Sequence, residues 1–236
     1  MGTHEQNYND RIERLKHALV GQGRRVQMLI EKSFEAVFNR DPGAARDAIA
    51  LDEDVDRVDI ALEKTAVQLL ADACSNQSCL TTEQLRMVLT VVKVNNELER
   101  IADVGVAISE QALVLAGLAG GQSLPPNSRM LANSAVGILR DATTSFDRLD
   151  PELAKVVLLS EEAVRQFKKV LVREAQEQLA KGRMTVDEVL SLSEVATLCE
   201  VMADHCTNIA EQVMYVATGT IVRHMQGHWE EVRLHG

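Results

Sequence analysis

The chain has 236 residues, 46% of them apolar and 25% charged, the balance of a soluble globular protein rather than a disordered or fibrous one. Its 35 acidic against 25 basic residues leave a net charge of −10, the wrong sign for a protein that grips nucleic acid by neutralising phosphates. No stretch offers the roughly 20 uninterrupted apolar residues that cross a bilayer; the most apolar one, Ile101 to Gly120, carries Asp103 and Glu110. The opening MGTHEQNYND lacks the basic start and apolar run of a signal peptide, so a cytoplasmic protein is expected.

Strand signals are scarce and helix punctuation is clear. A first helix is predicted near residues 8–39. Asp41-Pro42 then reads as an N-cap followed by proline at the first helical position, opening a second helix near 43–74. Thr81-x-x-Gln84 has the form of a capping box and opens a third, near 82–119. The stretch GGQSLPPNS, Gly120 to Ser128, is linker-like. Beyond it come a fourth helix near 128–148, a fifth near 151–181 behind Asp150-Pro151, and a sixth near 186–226 behind Thr185-x-x-Glu188. The fold class predicted is all-α.

An internal repeat divides the chain. Adding 101 carries Glu99 to Glu200, Ala102 to Ala203, Asp103 to Asp204, Ile108 to Ile209 and Glu110 to Glu211. Adding 109 carries Val55 to Val164, Val58 to Phe167, Ala61 to Val170 and Leu62 to Leu171, the expected core positions of the second helix in each half. Two tandem three-helix bundles are therefore expected, residues 1–122 and 123–236.

Acidic residues line one side of the third helix. At about 100° per residue, Asp103 and Glu110 fall within about 40° of Glu99, while Val94, Leu98, Ile101, Ile108 and Ala112 cluster opposite. In the sixth helix Glu200, Asp204, Asn208 and Glu211 take the outer side, and Met202, Cys206, Ile209 and Val213 the inner one. The second helix adds Asp52, Asp56, Asp59 and Glu63 on one stripe, opposite Val58, Ala61, Leu62, Thr65 and Leu69. If the second and third helices are antiparallel neighbours, the two rails face each other across a shallow groove.

The plain reading of such rails is a solvated acidic face. Solvated faces, however, usually mix signs at i,i+4, whereas these rails hold no cation of their own, and a bound one would supply the missing charge. All-oxygen ligation suits magnesium, calcium, manganese or iron. Two histidines, His224 and His228, could share a zinc with His235 beyond, but a surface pair on a fraying helix end is the plainer reading. Cys199 and Cys206 face the apolar stripe as core thiols, and Cys74 and Cys79 flank the turn SNQS with no C-x-x-C.

The stretches LRMVLTVVKVNNELERIADVGVAISEQA and LCEVMADHCTNIAEQVMYVATGTIVRH resemble the paired signature helices of the PhoU family, and ALDEDVDRVDIALEKTAVQLLA resembles the helix before the first of them. The resemblance runs from about Leu15 to His224. It implies two three-helix bundles with metal bound on bundle faces through E/D-x-x-x-D motifs: Asp52 with Asp56, Glu99 with Asp103, and Glu200 with Asp204 in the second half. Glu200 and Asp204, with Asp59, Glu63, Glu110 and Glu161, are weaker candidates than the first-half four. The ion implied is divalent or ferric, such as iron, zinc, manganese or magnesium. Also implied is a regulator rather than an enzyme, a repressor of phosphate uptake that contacts a phosphate ABC transporter and a membrane sensor histidine kinase. A homodimer is compatible with it. An accessory to another transporter and a metal-dependent hydrolase stay as alternatives. The sequence departs from the family's Glu-Arg in the sixth helix, where Glu200 precedes Val201. Asp56 and Asp59 become Arg165 and Lys168 in the second half, and Asp52 becomes Glu161, so internal salt bridges to Glu200 and Asp204 are expected to replace the ion there.

Overall fold

The computed structural model describes the backbone of residues 2–75, 80–118, 123–225 and 228–232, and the side chains of 8–75, 80–118 and 123–222. Its helices are α1 (Gly2–Asn39), α2 (Pro42–Ala50), α3 (Asp52–Ser75), α4 (Thr82–Gly117), α5 (Pro126–Arg148), α6 (Pro151–Ala180) and α7 (Val186–Thr218). A short antiparallel hairpin follows, β1 (Ile221–Met225) and β2 (His228–Val232). Apart from it the fold is all-α among the described residues, two three-helix bundles in tandem.

Local chemistry explains the helix starts. Asp41 and Asp150 each accept two backbone N–H groups and have proline at the first helical position, and Thr81/Gln84 and Thr185/Glu188 form complete capping boxes. Each satisfies donors that a helix leaves unpaired at its first turn.

Three boundaries differ from expectation. Helix α1 begins at Gly2 rather than near residue 8. The helix predicted near 43–74 is cut at Leu51, whose N–H turns back to Ala48 O at 3.1 Å, while Asp54 and Val55 both donate to Leu51 O. The cut puts Asp52, Glu53 and Asp54 in the first turn of α3, where the helix dipole favours negative charge instead of leaving three acids mid-helix. The sixth predicted helix stops at Thr218 rather than near 226: Gly219 adopts φ 76° and donates to Tyr215 O, a left-handed cap that suits glycine. The β-branched Ile221 and Val222 that follow open the strand. His224 and His228 therefore lie on opposing strands, across from Trp229 and Met225, not one helical turn apart. Their side chains, together with His235 and Cys79, lie outside the described residues, as does the stretch 119–122 where the halves were divided.

In the first bundle α1, α3 and α4 pack together; in the second α5, α6 and α7 do so, and α4 lies antiparallel along α7 to join them. Gly105 permits the close approach of α1 and α4, since a Cβ there would fall 2.1 Å from Leu29 Cδ2, and Ser109 donates to Ser33 at 2.9 Å across the same contact. One apolar core runs through both bundles and the seam. Cys199 and Cys206 belong to it, and burial pushes the Cys199 thiol up to about 12.

The phase expected for α3 holds only in part. Val55, Leu62, Ala66, Leu69 and Ala73 are buried, but Val58 is half-buried and Ala61 and Thr65 are exposed. These three, with Leu15 and Ala18 of α1, line an open cavity of about 350 Å³ between the two helices. Val170, the repeat partner of Ala61, is likewise exposed. Helix α3 thus touches its bundle along a narrow stripe, with a cavity on the α1 side and the acidic groove on the other.

Candidate functional site

The acidic rails face each other across α3 and α4. Burial lifts the carboxyl of Asp52 above the usual carboxylate range, and its neighbour Asp56 and Asp103 of the opposite helix add to the shift. Glu99 is raised in the same way by burial and by Asp103, Asp59 and Asp56, with Arg100 opposing. Asp59 is raised by burial, Glu63 and Asp56. Repulsion across the groove is what the rails predicted, and charge on one helix is felt on the other.

Asn95 fastens α3 to α4. Its Nδ2 donates to Asp59 Oδ1 at 2.6 Å and to Asp59 O at 3.1 Å. The side chain is 1% exposed and its Oδ1 has no partner, so a further hard oxygen lies beside the carboxylates with no donor. The donor chemistry suits a hard cation. Among the described residues, however, no three His, Cys, Asp or Glu side chains converge on one point closely enough to hold an ion. Asp52, Asp56, Glu99 and Asp103 would hold a metal only after their side chains turn toward one another. Glu63 is exposed and acts through Asp59, and Glu110 lies exposed about two turns beyond Asp103.

The second groove is built differently. Arg165 Nε meets Glu200 at 3.1 Å and its other nitrogens bond Glu161 and Glu162, while Lys168 Nζ reaches Glu200 at 2.7 Å. The Lys168 bond chiefly holds the Glu200 carboxyl below its usual range, against burial and with help from Arg165. Glu161 is buried beneath Arg165 at 3% exposure. The expected salt bridges thus centre on Glu200, with Asp204 exposed on the same helix. Glu211, expected on the outer face, is buried instead.

Two polar contacts between the bundles went unread. Arg40, at the end of α1, donates to Leu115 O at 3.0 Å and to Glu188 at 2.5 Å, the same carboxylate that closes the α7 capping box. Glu97 accepts from Asn208 at 3.1 Å and meets His205 Nδ1 at 2.7 Å. Burial would raise Glu97, but His205 and Asn208 hold it below its usual range. A signal existed for Glu97, which lies about 160° from Glu99 at the margin of the apolar stripe, where an acid needs a partner. For Arg40 none did.

Similarity to known proteins agrees with this architecture. The family model of the PhoU domain matches residues 19–112 and again 129–213. The chain belongs to the PhoU family. It is 26% identical to the phosphate-specific transport system accessory protein PhoU homolog of Pseudomonas putida, over 93% of this chain and 84% of that one. It is also 26% identical to the phosphate-specific transport system accessory protein PhoU of Escherichia coli K12, over 93% of this chain and 89% of that one. Among solved structures, PhoU from Pseudomonas aeruginosa superposes with a TM-score of 0.82 at 22% identity, covering 90% of this chain and 100% of the other. The phosphate transport system regulatory protein PhoU from Streptococcus pneumoniae gives 0.81 at 21%, covering 92% and 99%. At these identities the two structures speak for the fold.

Proposed function

We propose that this PhoU-family chain is a non-enzymatic accessory protein of a phosphate transport system, working in the cytoplasm to lower phosphate uptake when phosphate is plentiful. Its partners are a phosphate ABC transporter and a membrane sensor histidine kinase, and a metal ion seated between α3 and α4 belongs to its working state. The observation that carries the reading is the family match in both halves, with relatives along 93% of the chain named as accessory proteins of phosphate-specific transport. Among the described residues no helix is long and apolar enough to cross a membrane, which agrees with action through membrane partners. Support for the metal is the groove: carboxylates on facing helices raise one another, and the oxygen of Asn95 lacks a donor.

Deleting the gene in its native host tests the role. Phosphate-uptake genes should become expressed in high phosphate, and the tagged protein should retain phosphate-transporter components from detergent-solubilised membranes. Unchanged expression, with a different transporter retained, would move the assignment to that transporter.

A further inference from the structure

Two hydrogen bonds tie α1 to α3 at different levels and set the helices antiparallel. Arg11 Nη2 meets Asp72 Oδ2 at 2.8 Å near one end, and Gln22 Nε2 donates to Val55 O at 2.7 Å near the other. Between the ties lies the open cavity of about 350 Å³, within the size range of small-molecule sites. Ala18, Val58, Ala61 and Leu62 form its walls, and its polar side chains are Thr65 and the two arginines Arg11 and Arg14. Thr65 Oγ1 gives its hydrogen to Ala61 O at 2.7 Å, so side-chain donors remain only at the arginine end. There Arg11 is neutralised by Asp72 and lies over the Tyr8 ring. Arg14 is exposed, bonds Asp10 O through Nε at 3.2 Å, and makes no ion pair among the described residues.

The second bundle fills the equivalent place. The offset of 109 aligns α5 with α1, Ile138 with Leu29 and Phe146 with Val37, and it carries Ala18 to Asn127, Val58 to Phe167, Ala61 to Val170 and Thr65 to Glu174. Asn127 Nδ2 donates to Glu174 Oε2 at 2.8 Å, so a polar bond spans α5 and α6 where Ala18 and Thr65 leave space. Phe167 brings a ring where Val58 stands, and Ser123 takes the place of Arg14. The opening and its cation belong to the first bundle alone.

We infer that the α1/α3 groove binds a medium-chain monocarboxylate, its carboxylate on Arg14 and its unbranched alkyl chain along Ala61, Leu62 and Val58. The two terminal nitrogens of Arg14 can both donate to one carboxylate, a charge-assisted pairing stronger than a neutral one. With Arg11 already neutralised, the single free cation suits a monoanion better than a dianion. From Ala61 to Val58 the walls carry only hydrocarbon side chains, so the rest of the occupant must be hydrocarbon too: a polar group there would lose its water without replacement. Val58 to Thr65 covers about 10 Å of helix at roughly 1.5 Å per residue, the extent of a chain of about eight carbons. An occupant would cover Ala18, Ala61 and the open side of Val58, and would brace α3 against α1 on the side away from the acidic rail.

The test is an amide NMR titration of the full chain with butanoate, hexanoate, octanoate, octan-1-ol and octylammonium. Octanoate should give saturable shifts centred on Ala18, Ala61 and Leu62, and each CH₂ added from butanoate to octanoate should tighten binding about threefold. Octanol and octylammonium should bind about tenfold more weakly than octanoate. Arg14→Leu should cost octanoate that advantage and leave octanol unchanged. Val58→Phe, and Ala18→Asn combined with Thr65→Glu, install the residues of the second bundle and should each weaken octanoate at least about tenfold, the first by filling the groove and the second by bridging it. Helicity and melting temperature show that each variant is folded, and if one fails to fold the other still decides. No saturable shift up to about 10 mM, affinity independent of chain length, octanol binding as tightly as octanoate, or an undiminished response in both groove variants would each overturn the inference. So would a dimer in sedimentation that takes up no octanoate and that Val58→Phe dissociates, since a second copy of the chain would then cover the groove.

Discussion

Arg40 and Leu149 share a conformation that side chains resist. Both have φ of 49°, both follow a long helix and precede an Asp N-cap, and they are 109 residues apart. The left-handed region costs a non-glycine residue roughly 1 kcal/mol; Leu149 returns only packing against the core, whereas Arg40 returns an ion pair with a carboxylate that is 3% exposed. Leu149→Gly should therefore change stability by less than about 1 kcal/mol, relief of strain offsetting lost packing. Arg40→Gly should lower it by about 2 kcal/mol or more, because a buried Glu188 is left without its cation. Urea unfolding measures both. Burial would raise the Glu188 carboxyl, but the Thr185 N–H and Arg40 more than reverse this and hold it below its ordinary 4.5. A carboxyl lowered in the folded state contributes stability that is complete above its unfolded pKa and is lost as pH falls through the folded one. The gap between the parent and Arg40→Gly should thus be widest near neutrality and shrink below pH 4.5. A gap independent of pH would show that the ion pair does not carry the difference.

At the scale of elements, α3 is the loosely held member of its bundle. It restarts at Leu51, rests on a narrow apolar stripe, and faces repulsion on its α4 side. In metal-free protein Asp56→Asn should raise stability by about a few tenths of a kcal/mol, read as a small rise in melting temperature, because it removes one like charge. The same change should weaken binding of manganese(II) or zinc(II), so stability and metal affinity move in opposite directions. Asp56→Arg should abolish most binding, and Arg165→Asp should create or strengthen a site in the second groove, since the guanidinium that ties Glu161 and Glu200 is gone. Equal calorimetric titrations for parent and Asp56→Arg would sink the groove as a metal site. Much of this was legible in the sequence because it is local or periodic: Asp-Pro and Thr-x-x-Gln caps, the phase of α4 and, Glu211 apart, of α7, the exchange of Asp56 for Arg165. What escaped depends on neighbours. Ala61 and Thr65 have core phase but among the described residues no helix closes over them, and the partner of Glu97 lies 108 residues away on another bundle.

For the whole molecule, the apolar core passes through the α4/α7 seam without interruption. Cutting the chain in the linker and expressing residues 123–236 alone would take α4 away from α7 and leave the seam face of α7, which carries His205, Asn208 and Tyr215, without its partner. That fragment should not sediment as a soluble monomer; a well-behaved monomeric half would show that the seam contributes little. The seam has a further property. Its two helices are copies of one repeat, Ile108 answering Ile209, and they run antiparallel, so they meet about a local two-fold axis. A chain with a single repeat could make the same contact with its own twin. The present molecule is in that sense a dimer written on one polypeptide, and a single chain frees its halves from the need to be identical. One could then trade its acids for Arg165 and Lys168 while the other kept them, and a lone Glu97 could meet His205 where symmetry would have set Leu198 against Val104.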